Sequence, residues 1–582
     1  AKKVWMDEEG RIVDSVKSNG DHVIRQADYR KFMPVFTREY FSYNDLSKED
    51  YQLYFNRSIE INDDIYMADA KILGDGIFAA NGFVYKLDKV VLPLDNTEEY
   101  LENSSDYTLF LELLREFSQG YEFYPYNIGN FQIGLEKIVN TTDERFPMYN
   151  HAGMVVPTNR AYVEFIEDYL LAQGGMDGIS ETFKREIANS FYLNVVRPIF
   201  SEELENGYYN HNREEVVLDP EKILEKRFTS NAAIIGYDDF IVPNIFTSVG
   251  APLVLSNKYR LFLEAVLQSR ANNALKAQDQ VYAFYIIPDT RLEEDSSLYI
   301  SDKNDRLTTF DHGTSLEVQH SGSVLKTRIL NQVAIGIPSG IATKEFIPNL
   351  AGNYIVAEKQ PDGSVLLSGK EPSTFGYNQT DTTLRIEIYP REITEYEISN
   401  GKSYEVDGWF NYGYQAVDEI VTRIQYNYAA FFNALRQTGF LSQNEREILF
   451  YNENLQYTIF VPSDEAFQKS GFDAMSLEDK RAFVKNHFVV GNMIFTDGKE
   501  SAGYYETEAG TSLNLNPDTD VIQILKPDGE VYYSVDVTSD STNVMLTTVK
   551  PEHDDDQEFT SYATTAVLHQ IDTVLFHTIL TE

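Results

Sequence analysis

Nine histidines, His22, His151, His211, His312, His320, His487, His553, His569 and His577, are the residues of this 582-residue chain best suited to hold a metal or move a proton near neutral pH. No two stand in the His-x-x-x-His or His-Glu-x-x-His spacing that brings two imidazoles to one helix face, so a helical zinc site is unsupported. His569 and His577, eight apart around an alternating apolar stretch, read as surface or packing residues of a strand. The chain has no cysteine, which excludes disulfides, zinc–thiolate sites, iron–sulfur clusters and thiol nucleophiles. No cofactor is expected on these grounds.

Other chemistry is equally thin. There is no Gly-x-Ser-x-Gly elbow, phosphate-cradling Gly-x-x-x-x-Gly-Lys-Ser/Thr or Rossmann Gly-x-Gly-x-x-Gly, and "GDGIFAANG" around Gly74, Gly76 and Gly82 leads into a strand and reads as turns. A glycosidase needs only two positioned carboxylates, but among 91 Asp and Glu residues no pair is nominated. The acidic run "PEHDDDQE", residues 551–558, has the oxygen ligands calcium favours but lacks Asp-x-Asp-x-Asp-Gly spacing, and reads as a long solvated loop between two strands.

Composition narrows the partners. With 49 Lys and Arg against those 91 acids, the formal net charge of -42 repels a phosphate backbone, so nucleic acid is excluded as a partner. No stretch approaches the roughly 18 apolar residues of a membrane helix. The chain opens on "AKKVWMDEEG", with neither an initiator Met nor an apolar signal core, and the expectation is that a segment was removed before Ala1. Aromatic usage is 39 Tyr and 36 Phe but only two Trp, Trp5 and Trp409; exposed Tyr suits protein contacts more than sugar platforms.

The elements that must position these residues recur. "NGFVYKLDKVVLP" places Asp88 seven after Asn81 and Pro93 twelve after it; "NAAIIGYDDFIVP" repeats both offsets with Asn231, Asp238 and Pro243. "NGKSYEVDGWF" keeps Asn400 and Asp407, and "TAVLHQIDTVL" keeps Asp572 with Thr565 in place of the Asn. The aspartates at 88, 238, 407 and 572 lie 150, 169 and 165 residues apart, a domain-sized period. Within "NGFVYKLD" the Asn-Gly pair reads as a turn, with Phe83, Tyr85 and Leu87 on one strand face and Pro93 ending the pairing.

Two further markers accompany the aspartate. One is a helical stripe of Tyr, Phe at plus three and an aliphatic residue at plus seven: Tyr107, Phe110, Leu114; Tyr259, Phe262, Val266; Tyr428, Phe431, Leu435. The other is an apolar strand running into Pro and then Ser/Thr and Asn/Asp, in "AGMVVPTNRAY" with Pro157, Thr158 and Asn159 and in "YTIFVPSDEAF" with Pro462, Ser463 and Asp464, echoed loosely by "AFYIIPDTRL" with Pro288. Proline stops the ladder there, and the following hydroxyl and Asx oxygens read as caps of the next helix.

Taken together these markers resemble the fasciclin (FAS1) domain. Its first segment is similar to "YTIFVPSDEAF", its second to "NGFVYKLDKVVLP", and its Tyr-His region to "VKNHFVVGNMI" around His487. The resemblance implies an α+β chain of tandem FAS1-like domains, each a small antiparallel β-sandwich or wedge with packed helices. The expected units are a partial domain at 1–96 (the C-terminal part only), domains at 97–252 and 253–420, the latter divergent, and a full domain at 421–582. It also implies a non-enzymatic adhesion-type role, with His487 as a candidate interaction residue, although units two and three lack the histidine.

The Tyr/Phe-rich "YRKFMPVFTREYFSYNDLSKEDYQLYF" makes the chain resemble multi-fasciclin surface lipoproteins associated with SusC/SusD-type outer-membrane transporters. That resemblance implies a lipid anchor upstream of Ala1, display on the extracellular face of the outer membrane, and a SusC/SusD-type transporter as partner. The alternatives are direct capture of a glycan or peptide nutrient and, more remotely, a carboxylate-dependent hydrolase.

Overall fold

The computed structural model describes residues 16–18, 21–23, 33–92, 94–95, 97–116, 152–195, 197–230, 232–294, 296–302, 306–311, 315–319, 322–369, 388–410, 412, 429–442, 447–537, 541–554, 557–576 and 580–581. Pro93, Asn231, Tyr428, Trp5 and the middle of the third unit at 370–387 fall outside them. The chain divides into two compact units, Ala1–Phe246 and Thr247–Glu582.

Three times the structure builds a similar mixed sheet, which gives the chain its expected α+β architecture of tandem domains. The proline-terminated strand lies parallel beside the aspartate-terminated strand: Ala152–Pro157 on Ala232–Tyr237, Tyr282–Ile286 on Gly401–Glu405, and Tyr457–Pro462 on Gln557–Ile571. Antiparallel strands flank this pair, Ile223–Phe228 in the first case, Val333–Ile335 and Arg391–Glu392 in the second, Phe488–Val490 and Val544–Asp554 in the third. The expected antiparallel core is therefore mixed at its centre. The reason is visible in the strands themselves: all six residues of Ala152–Pro157 and of Tyr457–Pro462 are buried, and a strand covered on both faces is what parallel pairing requires.

Register is kept more strictly than sequence. Pro157 pairs with Tyr237 and Pro462 with Ile571, in each case the residue before the signature aspartate. In the third repeat Ile286 pairs with Glu405, two before Asp407, so Pro288 stands one place farther along. Even so, Asp289 reaches the position that Asn159 and Asp464 occupy. All three perform one task. Asn159 Oδ1 accepts the Leu109 N–H at 2.9 Å, Asp289 accepts those of Leu261 and Arg260 at 2.9 and 3.1 Å, and Asp464 Oδ1 accepts that of Ala430 at 2.8 Å.

Each recipient starts the stripe helix of its repeat: Thr108–Glu116, Arg260–Ser269 and Ala429–Gln437. The Asx side chain thus caps the helix that precedes it in the chain and not, as expected, its own. Thr158 and Ser463 do cap the following helices, accepting from Ala161 and Ala466 N–H. The stripes face inward, with Phe110, Leu114, Phe262, Val266, Phe431 and Leu435 all buried.

Glycine is demanded where strands crowd. A Cβ on Gly401, at φ +149°, would lie 1.9 Å from the Tyr282 carbonyl oxygen across the parallel pair.

The N-terminal segment has no such parallel pair among its described residues. Its sheet, in the order Val35–Phe36, Tyr66–Met67, Ala70–Ala79, Gly82–Leu87, is antiparallel throughout. The turn comprises Ala80 and Asn81, and Gly82 already pairs with Ala79. This segment is fastened to the second repeat by an aromatic cluster, in which Phe55 stacks on Phe228 at 5.4 Å and Phe36 meets Phe228 edge-on at 6.2 Å. Asp50 caps two helices at once, accepting from Ser47 N–H and, across the segments, from Ser201 N–H, both at 2.8 Å.

In the second unit, the strands Lys344–Pro348, Tyr354–Lys359 and Val365–Ser368 form a separate antiparallel sheet in the third repeat. It packs on the fourth: Phe346 stacks on Phe495 at 4.2 Å, its N–H donates to Asp497 at 2.9 Å, and Thr343 donates its N–H and hydroxyl to Asp520, both at 2.7 Å.

Asn159→Ala and Asp464→Ala should each cost about 1 kcal/mol in urea unfolding, the worth of one lost cap. Substituting an exposed residue of the post-proline helix itself, such as Glu465→Ala, should change the midpoint little.

Candidate functional site

The signature aspartates are the first candidates for chemistry, and the structure shows what holds each. Asp88 accepts the Lys71 N–H at 2.8 Å and the Arg57 guanidinium at 2.6 Å, and that guanidinium holds its carboxyl below the usual range. Asp238 accepts the Thr158 hydroxyl at 2.8 Å and pairs with Arg160 at 2.7 Å, and Arg160 depresses its pKa likewise. Asp407 lies 3.5 Å from Arg291. In the fourth repeat Glu465 stands where Arg160 stood and pairs with Lys469, while the Asp572 N–H donates to the Tyr533 hydroxyl at 3.1 Å.

The carboxylates of Asp238 and Asp407 latch the end of the aspartate strand to the start of the post-proline helix, whereas that of Asp88 ties its strand end to Lys71 and Arg57. Held ionised, Asp88 and Asp238 have no proton to give as general acids. The carboxyl pushed upward among the described residues is Asp289, where burial outweighs the N–H groups of Leu261 and Arg260. It is the helix cap already described and not an acid opposite a base.

His487 is fully buried in the fourth repeat. Its Nδ1 donates to the Phe483 carbonyl at 2.8 Å and its Nε2 accepts the Leu575 N–H at 3.1 Å, so both nitrogens are committed and the tautomer follows from the partners. The rings of Phe431 and Phe483 pack at 5.1 and 4.9 Å. As a contact residue for another protein it has no exposed surface to offer; its geometry is that of a structural histidine.

His569 is the same device on the aspartate strand. Its Nε2 donates to the Ile494 carbonyl at 2.8 Å, and its Nδ1 accepts the Asn543 N–H at 3.3 Å. Burial lowers the pKa of both rings to about 4. The side chains of His22, His151, His312, His320, His553 and His577 lie outside the described set, as does the side-chain chemistry of the acidic run at 551–558. The backbone of that run contradicts the expected long loop: Val544–Asp554 and Gln557–Ile571 stay paired as far as Asp554 with Gln557, because a continuing antiparallel ladder overrides the poor strand propensity of acids.

Among the described residues no group of three His, Asp or Glu is placed to hold a metal ion, and no helix is long and apolar enough to cross a membrane. Trp409 is buried against Phe262 at 5.2 Å and under the Arg328 guanidinium at 4.2 Å, in the core and not on a sugar-binding face.

The feature that sequence reasoning missed is a surface. On the hairpin Ala70–Ala79/Gly82–Leu87 and the residues after it, Ile77, Phe78, Phe83, Val84, Tyr85, Val90 and Leu92 are all exposed, Phe78 at 78% and Phe83 at 60%. Among the described residues these are the two exposed phenylalanines. Phe78 and Phe83 meet edge-on at 5.4 Å, and Phe83 and Tyr85 stack at 6.3 Å along one face. The available signal was the missing proline strand in the first unit.

With that geometry in place, comparison with known proteins adds a family. A model of the fasciclin domain matches residues 426–577. The fourth repeat is thus similar to a fasciclin domain, and the second and third share its parallel pair and its helix cap. Among solved structures, the chain is similar to a FAS1 domain pair from the insect cell adhesion molecule fasciclin I, at 10% identity and a TM-score of 0.19, over 55% of this chain and 96% of that one. No curated protein sequence matches.

The two buried histidines set a pH dependence. Their folded pKa of about 4 lies below the unfolded value of about 6.5, so the unfolded chain binds more protons between these limits. Stability is then full above about pH 6.5 and declines as pH falls toward 4. On going from pH 7 to pH 5, the fourth repeat should lose about 2 kcal/mol per histidine, read from amide exchange of Tyr457–Pro462. His487→Gln should lower stability at pH 7 and roughly halve that slope.

Proposed function

We propose that this chain is a non-enzymatic interaction protein of a cell surface, an accessory lipoprotein of a SusC/SusD-type outer-membrane uptake complex. The observation that carries the interaction reading is the exposed aromatic and aliphatic ribbon at 73–92, which has the composition of a protein contact: Phe, Tyr, Val and Leu in one contiguous stretch. The polar residues that recur with the repeat are spent elsewhere, Asn159, Asp289 and Asp464 on helix caps and Asp88 and Asp238 on strand latches.

The fasciclin match in the fourth repeat supports an adhesion-type module over a catalyst. For the outer-membrane setting the support is the Tyr/Phe-rich stretch at 29–55, whose Tyr51, Phe55 and Phe36 form the cluster that fixes the ribbon's base to the second repeat. A ribbon held at its base and bare along its length is built to present side chains.

Cross-linking of intact cells followed by isolation of this chain should recover a SusC/SusD-type transporter, and Phe83→Ser with Tyr85→Ser should reduce the yield at least about tenfold. Recovery of the chain alone, or equal recovery with the double variant, would overturn the assignment of the ribbon.

A further inference from the structure

The strand Gly82–Leu87 carries the same signature as Ala232–Tyr237 and is built the same way on one side. Asp88 N–H donates to Lys71 O at 3.0 Å and Asp238 N–H to Lys222 O at 2.8 Å; Ile72 pairs with Leu87 as Ile223 pairs with Tyr237. Both ladders then shift register within the next few residues. The "KIL" of Lys71–Leu73 recurs at Lys222–Leu224, and Leu73 and its equivalent Leu224 are both exposed, so the two hairpins also share their solvent side.

On the other side they differ. Ala232–Tyr237 is buried at every residue because the proline strand Ala152–Pro157 lies parallel against its far edge. Among the described residues Gly82–Leu87 ends its sheet, and Phe83, Val84 and Tyr85 are more than half exposed. In all three complete sheets of this chain the corresponding edge is filled by a parallel apolar strand. An edge that no described strand fills has backbone donors and acceptors able to template a further strand.

We propose that the free edge of Gly82–Leu87 is a β-augmentation site that takes a parallel apolar strand of about six residues, ending at a proline opposite Leu87, from a different polypeptide. The inference rests on the interaction reading above and names the partner's chemistry. The occupant's form follows from the strands that fill the same edge elsewhere in the chain: "AGMVVP" and "YTIFVP" pair their proline with the residue before the aspartate. A second copy does not fit. Its own strands of this type are buried and hydrogen-bonded to their aspartate strands, and two chains of formal charge -42 repel. Bulk also points outward: Phe83 stands where the buried strand has Ala233, so the ribbon offers more apolar surface to an incoming strand than its covered counterpart needs.

The test uses the full 582-residue chain and, as probe, a labelled peptide with the sequence of residues 152–159, AGMVVPTN, against a control with the same composition and the proline moved to the centre. The expected result is saturable binding of the first peptide, slowing of amide exchange at Gly82–Leu87 by about tenfold or more at saturation, and at least about tenfold weaker binding by Val84→Lys and by Tyr85→Lys. Those two variants place a charge on an exposed strand and leave the aromatic cluster at Phe36, Phe55 and Phe228 intact, which the exchange of Ile223–Phe228 reports.

Exchange unchanged at Gly82–Leu87 under saturating peptide, or equal binding of the control, overturns the proposal. So does a concentration-dependent dimer in sedimentation that Val84→Lys abolishes, since the occupant is then a second copy. If the cross-linked transporter is recovered through the ribbon while no strand is protected, the interaction reading stands and strand addition falls.

Discussion

The structure depends on one non-local pairing: an apolar strand that ends at a proline, set parallel to a strand that ends at an aspartate. In the second repeat the partners lie about 80 residues apart in sequence, and in the fourth about 109, counted from Ala152 to Ala232 and from Tyr457 to Ala566. Parallel neighbours cannot be joined by a tight turn, so the intervening chain must cross over and cover the sheet. The stripe helix precedes this pair in the chain, and the Asx residue just past the proline strand meets its open N-terminus. The helix end then has its donors satisfied by a residue that only the finished sheet can deliver, at Leu109, Leu261 and Ala430 alike.

This explains which features were legible in the amino-acid sequence. The stripe of Tyr107, Phe110 and Leu114 and the strand "YTIFVP" are local patterns with local causes, and they form the elements their periods imply. Thr158 and Ser463 cap their own helices as their position after proline demands. Strand direction was not legible from alternation, which is the same for either pairing, although six buried residues in a row without a polar break are the mark of a strand covered on both faces. Asn159 and Asp464 misled for another reason. Capping their own helix and capping a neighbour call for the same residue type, and only tertiary structure chooses between them. His487 was legible as a special residue but not as a buried one; an imidazole that bridges Phe483 and Leu575 differs from one on a surface by its surroundings alone.

The third repeat shows what divergence can be for. Its proline slipped one place, yet Asp289 kept its register with respect to the stripe helix, so the cap is under tighter geometric constraint than the strand terminator. Its additional sheet, 344–368, supplies Phe346 and Thr343 to Phe495, Asp497 and Asp520 of the fourth repeat. Phe346, Val356, Met493, Phe495, Met545 and Val567 share one buried cluster. Strands that interrupt the repeat pattern thus provide the apolar joint by which the third and fourth repeats pack inside one unit.

The same aspartate signature therefore has two physical meanings, set by what lies beyond the strand. Where the proline strand is present, the edge residues shrink, to Ala233 and Gly236, because neighbouring chain fills the space; a Cβ on Gly236 would sit 2.3 Å from the Tyr107 hydroxyl. Where it is absent, the equivalents are Phe83 and Lys86, and both are exposed. An interior strand is specified by the volume left to it. The ribbon of the first segment is specified on one side by Lys71, Ile72 and the Arg57–Asp88 pair, and its other side combines the backbone of a core strand with the exposed side chains of Phe83, Val84 and Tyr85.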